Sequence, residues 1–337
     1  MKYFFLTSLL LFSLFSSAQK ASNYMNNITE IAKSVRSATW DYTNSVSKSK
    51  SAEKVEDKRL DLLKTIDKSE KKVKEIGDFN GESYYKDSIL SFLKIYKDVI
   101  SDDYQKIKSL ELNAKHSFEF KDKLIIIREE ANTKIVKASE MLDEMEVKFA
   151  AEHKIELVYF KSKVAERLKK ANKVYKYYNS IFLIFFKPYF QEAKFLESLD
   201  KDDLQNLELS HANLLAAVVE SKARLNVKLD FEGDNSLMNS CQKLLDFYQA
   251  EAEQDFIKLI EFKKFKVKFQ KTKTDLEAKA KTERAKNEVA EFNKMVEEYN
   301  QKMSVYNQII ETLNIKRESL INSWNAVGEE FEEKHLN

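Results

Sequence analysis

Glycine, proline and cysteine are nearly missing from this chain. Its 337 residues include four glycines, one proline and one cysteine. Glycine and proline interrupt helices, at roughly 1 to 3 kcal/mol each relative to alanine. A chain almost free of both reads as long helices and weighs against a fold of short strands joined by turns. The single cysteine, Cys241, excludes an intrachain disulfide, so core burial must supply the stability. Several catalytic signatures are absent too: there is no phosphate loop, no GxSxG and no HExxH. The net charge of +2 is small, so any electrostatic partner surface is local.

What is present is apolar and charged in a helical mixture. Hydrophobic residues make up 43% of the chain and charged residues 33%. That hydrophobic share is too high for a disordered chain. The length suits two domains.

The first residues, MKYFFLTSLLLFSLFSSAQ, read as an export signal. Lys2 precedes an apolar run from Tyr3 to Phe15, and Ser16 and Ala18 are the small residues of a cleavage site after Ala18. The apolar run is short for a spanning helix, which needs roughly 20 residues. The mature chain is expected to begin at Gln19, and no cysteine follows the cut to carry a lipid.

Alternating spacings of three and four mark helical seams. One seam is Met25, Ile28, Ala32, Val35, Thr39, Tyr42 and Val46. A second runs through Val289, Phe292, Val296, Tyr299, Met303, Tyr306, Ile310, Leu313, Arg317, Leu320, Trp324, Val327 and Phe331. A third is Leu124, Ile127, Ala131, Ile135, Ala138, Leu142, Met145 and Phe149. The fourth is Val164, Leu168, Ala171, Tyr175, Tyr178, Phe182, Phe185 and Tyr189. No glycine or proline occurs between Gly81 and Pro188, so one continuous helix is expected from about residue 120 to residue 187, linking two bundles.

Two glycines sit in near-identical stretches, DFNGES (78–83) and DFEGDNS (230–236). A shift of 152 residues places Asp78, Phe79 and Gly81 on Asp230, Phe231 and Gly233 without a gap. The same shift sets Tyr85, Ile89, Phe92, Tyr96, Ile100, Tyr104 and Ile107 against Leu237, Cys241, Leu244, Tyr248, Ala252, Phe256 and Leu259. Every pair is apolar or aromatic on one helical stripe, which reads Cys241 as core. The expectation is an all-α fold of two tandem four-helix bundles: a signal peptide over 1–18, then bundles over 19–160 and 161–337.

The second corner and its helix, DFEGDNSLMNSCQKLLDFYQAEAEQDFIKLIEF, resemble an uncharacterised family of bacterial helical surface proteins of spirochaete and Bacteroidetes type. The resemblance covers roughly residues 20 to 335. It implies an exported helical protein with no known activity. Members of that family are often lipoproteins.

The corners invite a calcium reading, because Asp78, Asn80 and Glu82 alternate, as do Asp230, Glu232 and Asp234. An EF-hand also needs glycine at position six and glutamate at position twelve. These corners have Ser83 or Asn235 and Ile89 or Cys241 there, so the reading is a backbone corner. Glycine allows the turn, Asp, Asn and Ser cap the next helix, and Phe79 or Phe231 plugs the bundle end. Glu208 with His211, and Glu332 with His335, have the Glu-x-x-His spacing of carboxylate-bridged metal sites. His335 lies at the chain end, and His116 and His153 lack a partner at ligand spacing, so neither a metal nor a cofactor is expected.

Two stretches are candidate partner surfaces. In KKFKVKFQKTK (263–273), Lys264, Lys266, Lys268, Lys271 and Lys273 alternate with Phe265, Val267 and Phe269. Period two reads as an extended segment, with SFEFKD (117–122) at the matching joint, and the lysines form a basic strip. The aromatic run YKYYNSIFLIFFKPYF (175–190) reads as a buried junction helix or as a membrane-active segment over 181–190. The expected function is an exported, non-catalytic binding or structural component of the bacterial envelope. Its partner is an unknown protein or an anionic envelope component, with no specific nucleic acid. The alternatives are a membrane-active helical protein and a metal-dependent bundle enzyme.

Overall fold

The computed structural model describes residues 3–48, 52–103, 106, 118–157 and 163–336. Among them there are helices and no strand beyond two isolated bridges, so the fold is all-α. Two compact units are present, one ending at Val174 and one running from Tyr175 to His335. The division falls inside a helix, beyond the expected boundary at residue 160. The start of that helix packs with the first unit: the Arg167 guanidinium lies 5.9 Å from the Trp40 ring, and Lys169 donates to Glu140 at 2.6 Å.

The first unit is built from α1 (Tyr3–Lys48), α2 (Ala52–Glu75), α3 (Tyr84–Asp98) and α4 (Phe118–Glu152). A π-helical turn, Val99–Asp103, continues α3. Met25, Ile28, Ala32, Val35 and Thr39 are all buried, as the first seam requires, and the side chain of Val46 lies outside the described residues. Leu124, Ala131, Ile135, Ala138, Leu142 and Phe149 are the buried members of the third seam.

The continuous helix expected from 120 to 187 does not form. Helix α4 stops at Glu152 in a Schellman arrangement. The N–H of Ile155 donates to the Ala150 carbonyl at 2.8 Å, and that of Lys154 to Ala151 at 3.4 Å. Lys154 takes the left-handed position, at φ 53°. Half-buried Ile155 then packs on the core, and this apolar contact holds a stop that glycine usually supplies.

Helix α5 (Lys163–Asp200) enters the second unit, followed by α6 (Leu204–Asn226), α7 (Ser236–Ala250), a π-helical turn (Glu251–Asp255), α8 (Phe256–Glu277), a 3-10 turn (Lys281–Glu283) and α9 (Lys286–Leu336). The expected extended stretch at 263–273 is helix, and so is the matching joint from Phe118 onward, Ser117 lying outside the described residues. The aromatic spacing decides this. Phe262 and Phe269, seven residues apart, share one face and meet α9: Phe262 lies 4.9 Å from Tyr306, and Phe269 lies 4.5 Å from Tyr299 and 5.6 Å from Phe292. A helix also satisfies its own backbone, whereas an isolated strand needs a partner.

Every member of the Val289–Phe331 seam is at least half-buried, with Leu313, Trp324 and Phe331 in the core. The fourth seam drifts. Tyr189 is exposed, and the inward face of α5 passes through Ile181, Ile184, Glu192, Phe195 and Leu199 instead. A straight helix rotates about 20° per heptad away from a strict seven-residue repeat, which moves Tyr189 off the buried face.

The two units share a frame. Helix α3 with its π turn and helix α7 with its π turn begin at positions 152 apart, 84 against 236 and 99 against 251. On the aligned stripe, Tyr85, Ile89, Phe92, Tyr96 and Ile100 are buried, as are Leu237, Cys241, Leu244, Tyr248 and Ala252. Tyr104 and Ile107 lie outside the described residues. Both corners are two-residue hairpin turns of the type I′ form, in which both central residues are left-handed. Asn80 and Gly81 have φ 56° and 84°, and Glu232 and Gly233 have 54° and 86°. Phe79 and Glu82 exchange backbone hydrogen bonds of 3.1 and 2.9 Å, and Phe231 and Asp234 exchange bonds of 3.0 and 2.9 Å.

Asn–Gly is the favoured pair for this turn, whereas glutamate resists a positive φ. Replacing Glu232 with Asn is expected to stabilise the protein by about 0.5–1 kcal/mol in urea denaturation. Gly233→Val is expected to cost about 1–3 kcal/mol. No atom lies within 4 Å of a Cβ at that site, so backbone strain alone is at issue. A loss of stability in Glu232→Asn would show that the side chain, not the angle, governs this corner.

Candidate functional site

The outer parts of α8 and α9 form a two-helix arm. From Lys264 to Gln308 no side chain is buried, and the aromatic contacts of this stretch run between the two helices. The predicted basic strip lies on this arm. At 100° per residue, Lys264, Lys268 and Lys271 share one face, and Lys266 and Lys273 share the opposite one. Helical geometry therefore splits a strip that alternation had placed on one side. Lys264 pairs with Glu208, Lys266 with Asp202 at 2.8 Å and Lys273 with Glu277 at 4.0 Å. Lys268 and Lys271 are exposed. Residues 264–286 hold nine Lys and Arg against three Asp and Glu, a local excess of +6 on a chain whose net charge is +2.

The corners carry a second arrangement, repeated in both units. Phe79 inserts among Tyr24, Phe149 and His153, with ring centroids 5.2, 5.5 and 4.9 Å away. Phe231 does the same among Tyr177, Phe331 and His335, at 5.1, 5.4 and 4.9 Å. Each histidine also meets the acid that ends its turn, at 3.8 Å for His153 and Glu82 and 3.0 Å for His335 and Asp234. Asp78 pairs with Lys86, and Asp230 accepts from the Gly233 N–H at 2.8 Å. The expected helix caps take a different form. Ser83 and Asn235 occupy the N-cap positions but make no side-chain cap; Asp234 instead accepts from the Ser236 N–H at 2.9 Å. Spacing gave His153 no partner, since Glu82 approaches it only through the fold.

The Glu-x-x-His pairs do not converge. Glu208 is bound to Lys264, and His211 meets the Ala252 carbonyl at 2.7 Å. Ala252 lies in the π turn. At the equivalent place in the first unit, Arg59 donates to the Ile100 carbonyl at 3.4 Å. In both units a basic side chain from the preceding long helix satisfies a carbonyl of the π turn. His335 serves its corner, and His116 lies outside the described residues.

Sequence reading missed a buried charge cluster at the second π turn. Glu192 and Glu251 are each 1% exposed, and the Arg317 guanidinium reaches both, Glu251 at 3.6 Å. Burial and the Glu192 charge push the Glu251 carboxyl up to about 10. Glu192 is also raised by burial, against the pull of Arg317. Two carboxyls facing one guanidinium reach neutrality by retaining a single proton. The only signal was polar Arg317 on an apolar seam.

The aromatic run is largely internal. Ile181, Leu183, Ile184, Phe185 and Pro188 are buried among residues 181–190. No helix of the described residues is long and apolar enough to cross a membrane. Cys241 is fully buried, and burial pushes its thiol up to about 12.

Folding raises the Glu251 carboxyl above its ordinary value of 4.5, so between that value and about 10 the folded chain keeps a proton the unfolded chain releases. Stability from this group is full below pH 4.5 and is lost as the pH rises toward 10. Glu251→Gln, neutral at every pH, is expected to flatten the alkaline fall in melting temperature and to exceed the parent above pH 8. Parallel curves for the two proteins would refute the shared proton. In comparisons with known proteins, no family model, curated protein or solved structure matches the chain.

Proposed function

We propose that the protein is an exported, non-catalytic binding component of the bacterial cell envelope. In this reading two tandemly duplicated helical bundles form the scaffold, and the α8–α9 arm engages an anionic envelope surface. The observation that carries it is the arm: two helices without a buried residue from 264 to 308, with a +6 excess over 264–286. An exposed cation cluster raises the local concentration of an anionic partner, and an arm without buried side chains presents that charge without desolvating it. The extent of the arm supports the same reading. Its α8 helix beyond Lys263 spans about 20 Å at 1.5 Å per residue and buries no side chain along that length.

The test uses the full chain with vesicles of phosphatidylglycerol, and with phosphatidylcholine vesicles as the control. Binding is expected only to the anionic vesicles and to weaken with salt. Lys268→Glu with Lys271→Glu is expected to reduce it at least about tenfold, since each lysine near an anionic surface contributes about 1 kcal/mol. Equal binding to both vesicles, or an unchanged affinity in the double variant, would overturn the reading.

A further inference from the structure

The two corners have the same frame and different charge. In the second unit, the Asp234 carboxylate receives His335 at 3.0 Å and the Lys334 ammonium at 2.7 Å. The side chain of Asp234 is only 8% exposed, so the ammonium neutralises a carboxylate largely removed from water. The matching residues of the first unit are Glu82, Glu152 and His153. The rings confirm the match, because Phe79–His153 and Phe231–His335 have the same centroid distance, 4.9 Å, and interplanar angles of 78° and 82°. Where the second unit has a lysine, the first has a second carboxylate.

We propose that the first corner binds a divalent transition cation, zinc by preference, through Glu82, Glu152 and His153. One ligand atom from each lies within 4.8 Å of the others. His153 Nε2 is buried and has no hydrogen-bond partner, and Glu82, at 3.8 Å, is too distant to provide one. Tyr84 donates to Oε2 of Glu152 at 2.5 Å, a hydrogen bond that holds this carboxylate beside the corner. Lys148 stands 3.9 Å from Oε1 of Glu152, but this pair is exposed and weak, and a bound ion displaces it. Zinc ligands stand about 2.0–2.2 Å from the ion. Small rotations of the exposed Glu82 and Glu152 side chains close that distance, while the Phe79 and Phe149 rings hold His153 in place. An imidazole nitrogen with two carboxylates suits zinc, and calcium and magnesium prefer all-oxygen sites. The cation then stands where Lys334 stands in the second unit.

Full chain stripped with a chelator is titrated with zinc sulfate in equilibrium dialysis, with thermal shift alongside. One zinc per chain is expected, together with a rise in melting temperature that the chelator reverses. His153→Ala is expected to weaken uptake at least about tenfold. Glu152→Lys is the decisive variant. It puts a lysine where the second corner has one, and it is expected to abolish uptake while keeping the helical circular dichroism of the metal-free parent. His335→Ala is expected to leave uptake unchanged. No uptake by the parent, uptake unaffected by Glu152→Lys, or calcium bound more tightly than zinc would each overturn the proposal.

Discussion

Each unit is closed by one contact, a corner phenylalanine standing edge-on to a histidine near the C-terminal end of a long helix. The contact joins segments 74 residues apart for Phe79 and His153, and 104 apart for Phe231 and His335. It fixes the register between the turn and the helix, because a ring centroid 4.9 Å away tolerates little sliding. The left-handed backbone at Asn80–Gly81 and Glu232–Gly233 follows from that demand, since a tight two-residue turn puts the phenylalanine and the acid on adjacent positions of the same bundle end. The acid then meets the histidine from the other side. Corner geometry, aromatic packing and charge thus form one unit of structure that occurs twice.

The frame is common and the polar chemistry is not. Val99 is apolar where Glu251 places a buried carboxyl group. Glu152 stands where Lys334 does, and Arg59 stands where His211 caps the same carbonyl. Between the corner and its histidine the second unit has 30 more residues than the first, and those residues lie between the shared π turn and the helix end. Apolar positions that set the fold correspond in the two units, while charged positions differ, as expected where packing constrains volume and solvent-facing or paired charges do not.

The parts legible in the sequence were those with a period or a breaker. The seams through Met25–Thr39 and Val289–Phe331 appear because one face must be apolar over many turns. The corners appear because glycine is scarce and placed twice. The helix ends at Glu152 and Asp200 were not legible, since Lys154 and Asp202 take the left-handed position and nothing about lysine or aspartate announces it. Residues 263–273 misled for a physical reason: lysine alternates with phenylalanine and valine over too short a span to separate period two from a helix. Phe262, Tyr299 and Tyr306 settle the matter only once α9 is beside it. Glu192 with Arg317 and Glu82 with His153 are contacts of tertiary structure, separated by long stretches that no spacing rule spans.

Each unit also holds one of the chain's two tryptophans, in contrasting surroundings. Trp324 is buried, with Phe185 at 4.5 Å and Tyr178 at 5.7 Å. Trp40 is half-buried, with the Arg167 guanidinium on its ring. An indole in a dry interior fluoresces at shorter wavelength than one touching water, so the emission spectrum is a sum of two separable colours, one from each bundle. Loss of the blue component follows the second bundle alone, and the red component follows the first. The molecule carries its own pair of optical reporters for asking whether its two halves melt together or apart.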